Sequence, residues 1–502
     1  MRMWAQSHLC QKQPRATSVL AAAFALVFLF LGASQSASAL PAFARKYGLR
    51  CSACHESWPA LNNFGLKFRD NGYQLMNERD SPIWQNPGYW PVTFRITPIW
   101  HRVSSLNQVD TYATSGPNAG TVNGSTAQRI TSSGFDLSGL DFHTGGTLEK
   151  NFSFYVLPSS DPTAAFHFES VMARIDNIGG SPWLNIKLGR FELNNLLSEK
   201  RTLWLTGNGG IYQTYHFIPV GDGNIFGQMG DNQLGMEYMG HSVDDKTRVS
   251  ASLLSSSDGN VNLTTGANSY SGFFTFDQAF DTGKLGMQRV GAYAFVGQAA
   301  TYYLTSTGPT GAVPIPGSGI NNKGFSRVGF YGQFYFGPHF DVNLVTQHGE
   351  DNAWFGQGYG NAIASDGDGG ATATCSTPVN GPGCPLNNTP GTTLPAGSRA
   401  PTWNGYTVEA RYVYSPQLIF KAVYEAERMS QQATPGTPSN LGNINNYSIG
   451  YRYNPFMSSR AGFAYFGEFN LFHQDLTGPL NSSGNPTNVN TSELLFGMDF
   501  DF

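Results

Sequence analysis

Apolar and polar positions alternate along much of this chain with a period of two, the pattern of a strand with two unlike faces. From Tyr406 to Tyr414 one face reads Tyr, Val, Ala, Tyr, Tyr, while Thr407, Glu409 and Arg411 fall on the other. Leu418, Phe420, Ala422, Tyr424 and Ala426 alternate with a face that carries Lys421, Glu425 and Glu427. Tyr447, Ile449, Tyr451 and Tyr453 alternate with Ser448, Gly450, Arg452 and Asn454. The buried face of a soluble sandwich would carry fewer tyrosines, because a buried hydroxyl needs a partner. Lipid on the outside and a polar lumen on the inside fit the pattern better, with Glu409, Arg411, Glu425 and Arg452 facing a water-filled channel.

The connections carry a second signal. Long segments at 104–131, 191–231, 302–323, 350–400, 429–445 and 474–490 alternate with short ones at 144–147, 177–182, 242–246, 281–285, 337–338, 415–417 and 455–459. Residues 257–268 are intermediate, and 158–163 breaks the alternation by being short. Outer-membrane barrels have short periplasmic turns and longer outer loops. The chain therefore reads as mainly β, an antiparallel transmembrane β-barrel of about sixteen strands over residues 91–502. An even strand number brings both ends of the barrel to one face, and the short turns make that face periplasmic. At the end of the sequence Leu494, Phe496, Met498, Phe500 and Phe502 alternate with Leu495, Gly497, Asp499 and Asp501, like the sorting signal of outer-membrane barrels. Such a row of aromatics on a free edge would invite aggregation, and closure removes the edge.

Composition agrees with the pattern. Charged residues make up 13% of the chain and aromatics 14%, with 59 glycines, which suits a barrel with aromatic girdles. Residues 1–39 read as a signal peptide: Arg2, Lys12 and Arg15, an apolar run from Val19 to Gly32, and Ala37-Ser38-Ala39 as cleavage site. The formal charge of −4 becomes about −7 without this leader, which argues against a nucleic-acid partner. The bacterial outer membrane is the expected location and the lipid bilayer the expected surroundings.

Upstream of the barrel stands Cys51-Ser52-Ala53-Cys54-His55. Two thiols around two residues, with a histidine next, form the attachment pattern of haem c. Each thiol can add to a vinyl group, and the histidine then ligates the iron from below. Zinc would need two more ligands, and no second cysteine pair or close histidine pair exists. Residues 40–90 thus read as a short helical c-type haem module, too small to carry its own core. Pro41 to Tyr47 can form a helical turn ended by Gly48. Pro59 suits the first turn of a second helix, whose apolar face would be Leu61, Phe64 and Phe68 and whose stop would be Asn71-Gly72. Met76 is the candidate distal iron ligand, and His101 a weaker one. The module starts on the periplasmic side or fills the lumen from there.

The residues Pro41-Ala42-Phe43-Ala44-Arg45, the CxxCH motif, Pro59-Ala60-Leu61-Asn62, Phe64-Gly65 and Gly72-Tyr73 resemble the fused monohaem cytochrome–porins of bacterial outer membranes. The best known members are iron-oxidising outer-membrane cytochromes. The resemblance covers residues 41–75 and implies one haem c on Cys51, Cys54 and His55. It also implies a barrel of about sixteen strands and one-electron transfer between an extracellular donor or acceptor, with Fe2+ as one candidate, and a periplasmic electron carrier. Iron-oxidase-type electron transfer is the one enzymatic reading left open, since no hydrolytic or transferase site stands out. The alternative is a diffusion porin with a structural haem plug. A haem peroxidase would need a distal acid–base residue that the sequence does not place.

Two further expectations concern the outer loops. Residues 191–231, with Glu199-Lys200-Arg201 beside Leu203-Trp204-Leu205, can fold inward and narrow the lumen. Cys375 and Cys384 remain once Cys51 and Cys54 are assigned to haem and Cys10 to the leader, and an oxidising compartment favours their pairing. We expect a disulfide that closes this short loop and stabilises by about 2–3 kcal/mol. Mass spectrometry of unreduced protein should find the two cysteines linked, and two free thiols would contradict it.

Overall fold

A computed structural model describes residues 43, 46–49, 51–57, 60–75, 92–112, 122–160, 166–193, 232–255, 270–300, 304–308, 311–314, 322–350, 354–355, 362–364, 402–429, 443–457, 461–475 and 487–501. Two short helices, α1 (Cys51–Cys54) and α2 (Asn63–Asp70), flank a small hairpin of His55–Ser57 and Ala60–Leu61. Sixteen strands follow and close into one antiparallel barrel. They are β1 (Val92–Tyr112), β2 (Val122–Glu149), β3 (Phe152–Ser160), β4 (Phe166–Ile175), β5 (Asn185–Glu192), β6 (Asn232–His241), β7 (Thr247–Ser255) and β8 (Tyr270–Asp281). The second half is β9 (Met287–Ala300), β10 (Asn322–Tyr335), β11 (Phe340–Glu350), β12 (Thr402–Ser415), β13 (Leu418–Met429), β14 (Ile444–Met457), β15 (Gly462–Gln474) and β16 (Val489–Asp501).

Each strand pairs with its sequence neighbour, and β16 pairs back onto β1 through Leu495↔His101 and Phe500↔Ile96. The faces fall as the alternation predicts. On β12, Tyr406, Val408, Tyr412 and Tyr414 are exposed on the outer wall while Thr407, Glu409 and Arg411 are fully buried inside. Phe274, Phe276, Phe330, Phe420, Ile449 and Phe496 continue the exposed apolar surface around the barrel. Apolar side chains outside and buried charge inside are the inverse of a water-soluble protein and the distribution of a membrane-spanning barrel.

Three details depart from the sequence expectation. The segment 104–131 is mostly strand: β1 and β2 stay paired from Ser104↔Thr131 to Thr111↔Gly124. Its Ser, Thr, Asn and Gln residues lack an apolar face, so period-two hydrophobicity could not reveal a ladder that polar side chains also permit. The turn placed at 144–147 lies instead at Lys150–Asn151, where Asn151 adopts φ +61. Glu409, Arg411, Glu425 and Arg452 do face inward, but they are buried, at 0–2% exposure, rather than bathed in a channel. They are held by neighbours: Arg411 pairs with Asp341 at 2.6 Å, and Asn446 donates to Glu425 at 3.0 Å.

The closing seam carries its own ionic clasp. Asp499 of β16 accepts from Arg95 Nε of β1 at 2.8 Å, from Thr97 Oγ1 at 3.1 Å and from Arg452 Nη2 of β14 at 2.6 Å. Removing one partner of a buried pair costs about 3–5 kcal/mol, because the remaining charge has lost its compensation. Asp499→Asn should therefore lower the temperature at which the barrel loses its compact mobility on cold-loaded denaturing gels. An unchanged transition temperature would show that the seam does not depend on this carboxylate.

Candidate functional site

The CxxCH motif is built on one helical turn. Positions 51 and 54 are three apart within α1, which sets them one above the other on a helix face, as two thiols attaching to one ring require. His55 follows as the first residue of the hairpin, pairs with Leu61, and is buried. Burial pushes an unmodified Cys54 thiol up to about 11. Among the described residues, no three His, Cys, Asp or Glu side chains converge to hold a metal ion.

Asn62 fixes the motif from behind. Its backbone N–H donates to the Cys54 carbonyl at 2.9 Å and its side-chain amide to the Ala53 carbonyl at 3.1 Å. Its side-chain oxygen accepts from Gly65 N at 2.9 Å, which makes Asn62 the N-cap of α2. Gly65 lets α2 cross the motif at backbone contact, since a Cβ there would overlap the Cys54 carbonyl. The helix thus starts later than Pro59 suggested, and Leu61 belongs to the hairpin. The buried apolar side chains of α2 are Leu66 and Phe68, while Phe64 is 43% exposed. Sequence reasoning missed Asn62, although an asparagine ahead of a helix is a recognisable N-cap signal.

The stop at Asn71-Gly72 is confirmed in detail. Gly72, at φ +72, donates to the Arg69 carbonyl and Tyr73 N to the Phe68 carbonyl, a Schellman ending. Tyr73 and Phe68 pack edge to face at 6.2 Å, the apolar contact that accompanies this motif. The barrel wall adds to this cap: Arg174 of β4 also donates to Arg69 O at 2.7 Å and donates to Asp70 O at 2.9 Å. A cation is favourable at that end of a helix. Arg174 is held in turn by Asp176 at 2.7 Å. Gly72 leaves room for this, because a Cβ would overlap the Asp176 carboxylate.

Asp70 is the second anchor, 3.0 Å from Arg248 of β7. Burial alone would raise its carboxyl, and the Arg248 and Arg69 guanidiniums override that and hold it well below the usual carboxylate range. Lys46 donates to Thr147 of β2 at 3.1 Å, and Asn177 of the β4–β5 turn to Asn71 at 3.3 Å. Leu66, Phe68 and Tyr73 join Met172, Leu254, Phe273, Tyr293 and Phe295 of the inner wall in one apolar cluster. These partners lie on the lumen side of β2, β4, β7, β8 and β9, and the polar ones cluster at the short-turn end. The segment 62–75 is therefore packed inside the barrel, at the mouth formed by the short turns.

The donor chemistry and this frame fit a c-type haem: two cysteine positions on one turn, a buried histidine beside them, and a motif backbone tied down by Asn62. Met76, Cys375, Cys384 and residues 194–231 lie outside the described residues. His101 is placed in the middle of β1, where its Nδ1 lies 3.5 Å from Glu493 of β16.

The class that the fold defines is a closed sixteen-stranded antiparallel barrel with segment 62–75 packed in the lumen. No protein-family model and no curated protein matches the chain. Among solved structures it is similar to the outer-membrane OmpT of Vibrio cholerae, at 10% identity and TM-score 0.42, covering 82% of this chain and 98% of that one. An anion-selective porin from Comamonas acidovorans is similar at 10% identity and TM-score 0.44, covering 82% and 99%. The outer-membrane channel DcaP of Acinetobacter baumannii is similar at 10% identity and TM-score 0.42, covering 82% and 97%.

Asp70→Asn should loosen the plug, at a cost of about 3 kcal/mol, because Arg248 loses a carboxylate partner across the plug–wall contact while keeping Asp245. Since the folded carboxyl is held below its unfolded value, the anchor's contribution is present above the unfolded value and is lost as pH falls through the folded one. At neutral pH, limited proteolysis should release residues 43–75 faster in Asp70→Asn than in wild type. Equal rates would remove the ion pair from the account.

Proposed function

We propose that this chain is an outer-membrane cytochrome–porin. It would carry one haem c on Cys51, Cys54 and His55 and pass single electrons between a redox partner outside the cell and a periplasmic carrier. The observation that carries the reading is the CxxCH turn itself, its carbonyls bound by Asn62 and its neighbouring helix capped by Arg174 and ion-paired through Asp70 to Arg248. A rigidly held, solvent-shielded site at one end of a transmembrane lumen is what an electron-transfer centre needs.

When bound, the haem supplies the one-electron chemistry. The chain's own residues do the rest. Cys51 and Cys54 would hold the ring and His55 would ligate the iron, while Asn62 and α2 fix the motif's backbone. The strands themselves contain no redox centre, and a hydrocarbon core of about 30 Å exceeds the reach of one haem. A donor such as Fe2+ must therefore approach from the outer side of the lumen, or the periplasmic carrier must meet the short-turn mouth. The second reading is a diffusion porin in which the same segment is only a plug, favoured by the strand number and by the long connections gathered at one end.

Cys51→Ala with Cys54→Ala should abolish haem staining on denaturing gels while the barrel still folds. Full staining in the double variant would sink the cofactor assignment. Adding Fe2+ to purified protein should reduce the haem within seconds, and planar bilayers should show little conductance. A large steady conductance with an unreactive haem would favour the porin.

A further inference from the structure

We infer that the outward face of the β1–β2 ribbon docks a phosphorylated lipid headgroup of the outer leaflet, held by Arg102 and Arg129. This surface faces the membrane rather than the lumen and is independent of any cofactor. The ribbon rises above its neighbours: β16 pairs with β1 up to Ser492↔Ser104, and β3 pairs with β2 only from Leu140. Beyond those points β1 and β2 pair with each other as far as Tyr112↔Val122.

Outward positions change character at one level. On β1 they run Ile96, Pro98 and Trp100, then Arg102. On β2 Leu137 and Phe135 are followed upward by Ser133, Thr131 and Arg129. On β16 Phe496 and Leu494 give way to Ser492. Trp100 opposes Phe135 and stacks on Phe496, while Arg102 opposes Ser133 and Leu494, so the three strands switch together. That level is the upper margin of the apolar band, where hydrocarbon meets headgroups. Phe135, 90% exposed, lies just below it.

Arg102 and Arg129 are both exposed. Arg129 opposes Leu106, four residues above Arg102, so the two positions lie about 13 Å apart along the ribbon. Between them the outward positions are Ser104, Leu106, Thr131 and Ser133, with no carboxylate. Among the described residues neither guanidinium has a carboxylate partner, and Arg129 makes one long bond, to the Asn490 carbonyl at 3.5 Å. His473 of β15 sits beside Asn490 but is already paired with Asp475 at 3.0 Å. Arginine presents a planar fork that matches phosphate oxygens. A lipid phosphate at this level brings its acyl chains down onto Phe135 and Trp100. The hydroxyls of Thr131 and Ser104, 3.0 Å from each other, add donors for a polar headgroup.

The test uses the full-length protein in detergent, titrated with diphosphorylated lipid A and read by native mass spectrometry, with barrel folding checked by gel mobility. Wild type should retain the lipid. Arg102→Gln with Arg129→Gln should weaken retention about tenfold or more, because charge-assisted bonds to phosphate are lost. Lys150→Gln with Lys284→Gln, exposed at the short-turn end, should bind like wild type. A phosphate-free form of the lipid should bind as weakly as the double arginine variant, and excess inorganic phosphate should leave the lipid in place. The assignment is overturned by a wild type that retains no lipid, by undiminished binding in the double arginine variant, or by an equal loss in the lysine variant. Equal binding of the phosphate-free lipid, or displacement by inorganic phosphate, would overturn it too. A second copy of the chain held on the ribbon in place of lipid would assign the surface to self-association instead.

Discussion

Hydrocarbon offers no hydrogen-bond partner to a backbone N–H or C=O, so a sheet that crosses a bilayer must close on itself. Here closure falls between β16 and β1, strands at opposite ends of the barrel sequence. The seam includes Pro98, which lacks an N–H and sits at a bulge in β1. Asp499 lies beside that irregularity and gathers Arg95, Thr97 and Arg452. The seam pairing skips from Gly497↔Ile99 to Phe500↔Ile96, and the ionic clasp bridges that gap. Its partners are fixed by register, so it rewards one closure over a slipped one.

Closure also makes the lumen a place where charge is shielded from water, and the N-terminal segment uses this. A stretch as short as residues 43–75 cannot bury enough apolar surface to hold a fold alone. It borrows the barrel's inner wall instead, through Leu66, Phe68 and Tyr73 in the aromatic cluster. Arg174 serves both partners: it completes the carbonyl end of α2 and is itself neutralised by Asp176. Plug and barrel are therefore coupled, and a change in the seating of α2 would be felt at Asn62 and the Cys51–Cys54 turn.

The barrel was legible because its signal is repeated. Strands with apolar outer faces, such as β12, β13 and β14, show alternation that lipid on one side and charge on the other impose directly. Where the outer face is polar, as along the far reaches of β1 and β2, that imposition is absent and the ladder went unseen. The Cys51–His55 turn stands out in the sequence for a different reason: the covalent attachment proposed for it would demand Cys, Cys and His at fixed spacing. The anchors were not legible. Arg174 and Arg248 bind the plug across separations of about a hundred residues or more, and no local pattern encodes such a meeting. Of the expected α2 face, Phe68 is buried as foreseen, whereas Leu61 falls in the hairpin, Phe64 is exposed and Leu66 is buried in their place.

The central claim is that a transmembrane barrel holds one covalently attached haem at Cys51–His55. The most direct measurement is the haemochrome spectrum of the purified, fully folded protein after denaturation in alkaline pyridine, set against the protein concentration. The account predicts one haem per chain with the spectrum of a ring joined by two thioether bonds. A folded barrel that carries no haem, or haem that extracts freely into acidified solvent, would contradict it.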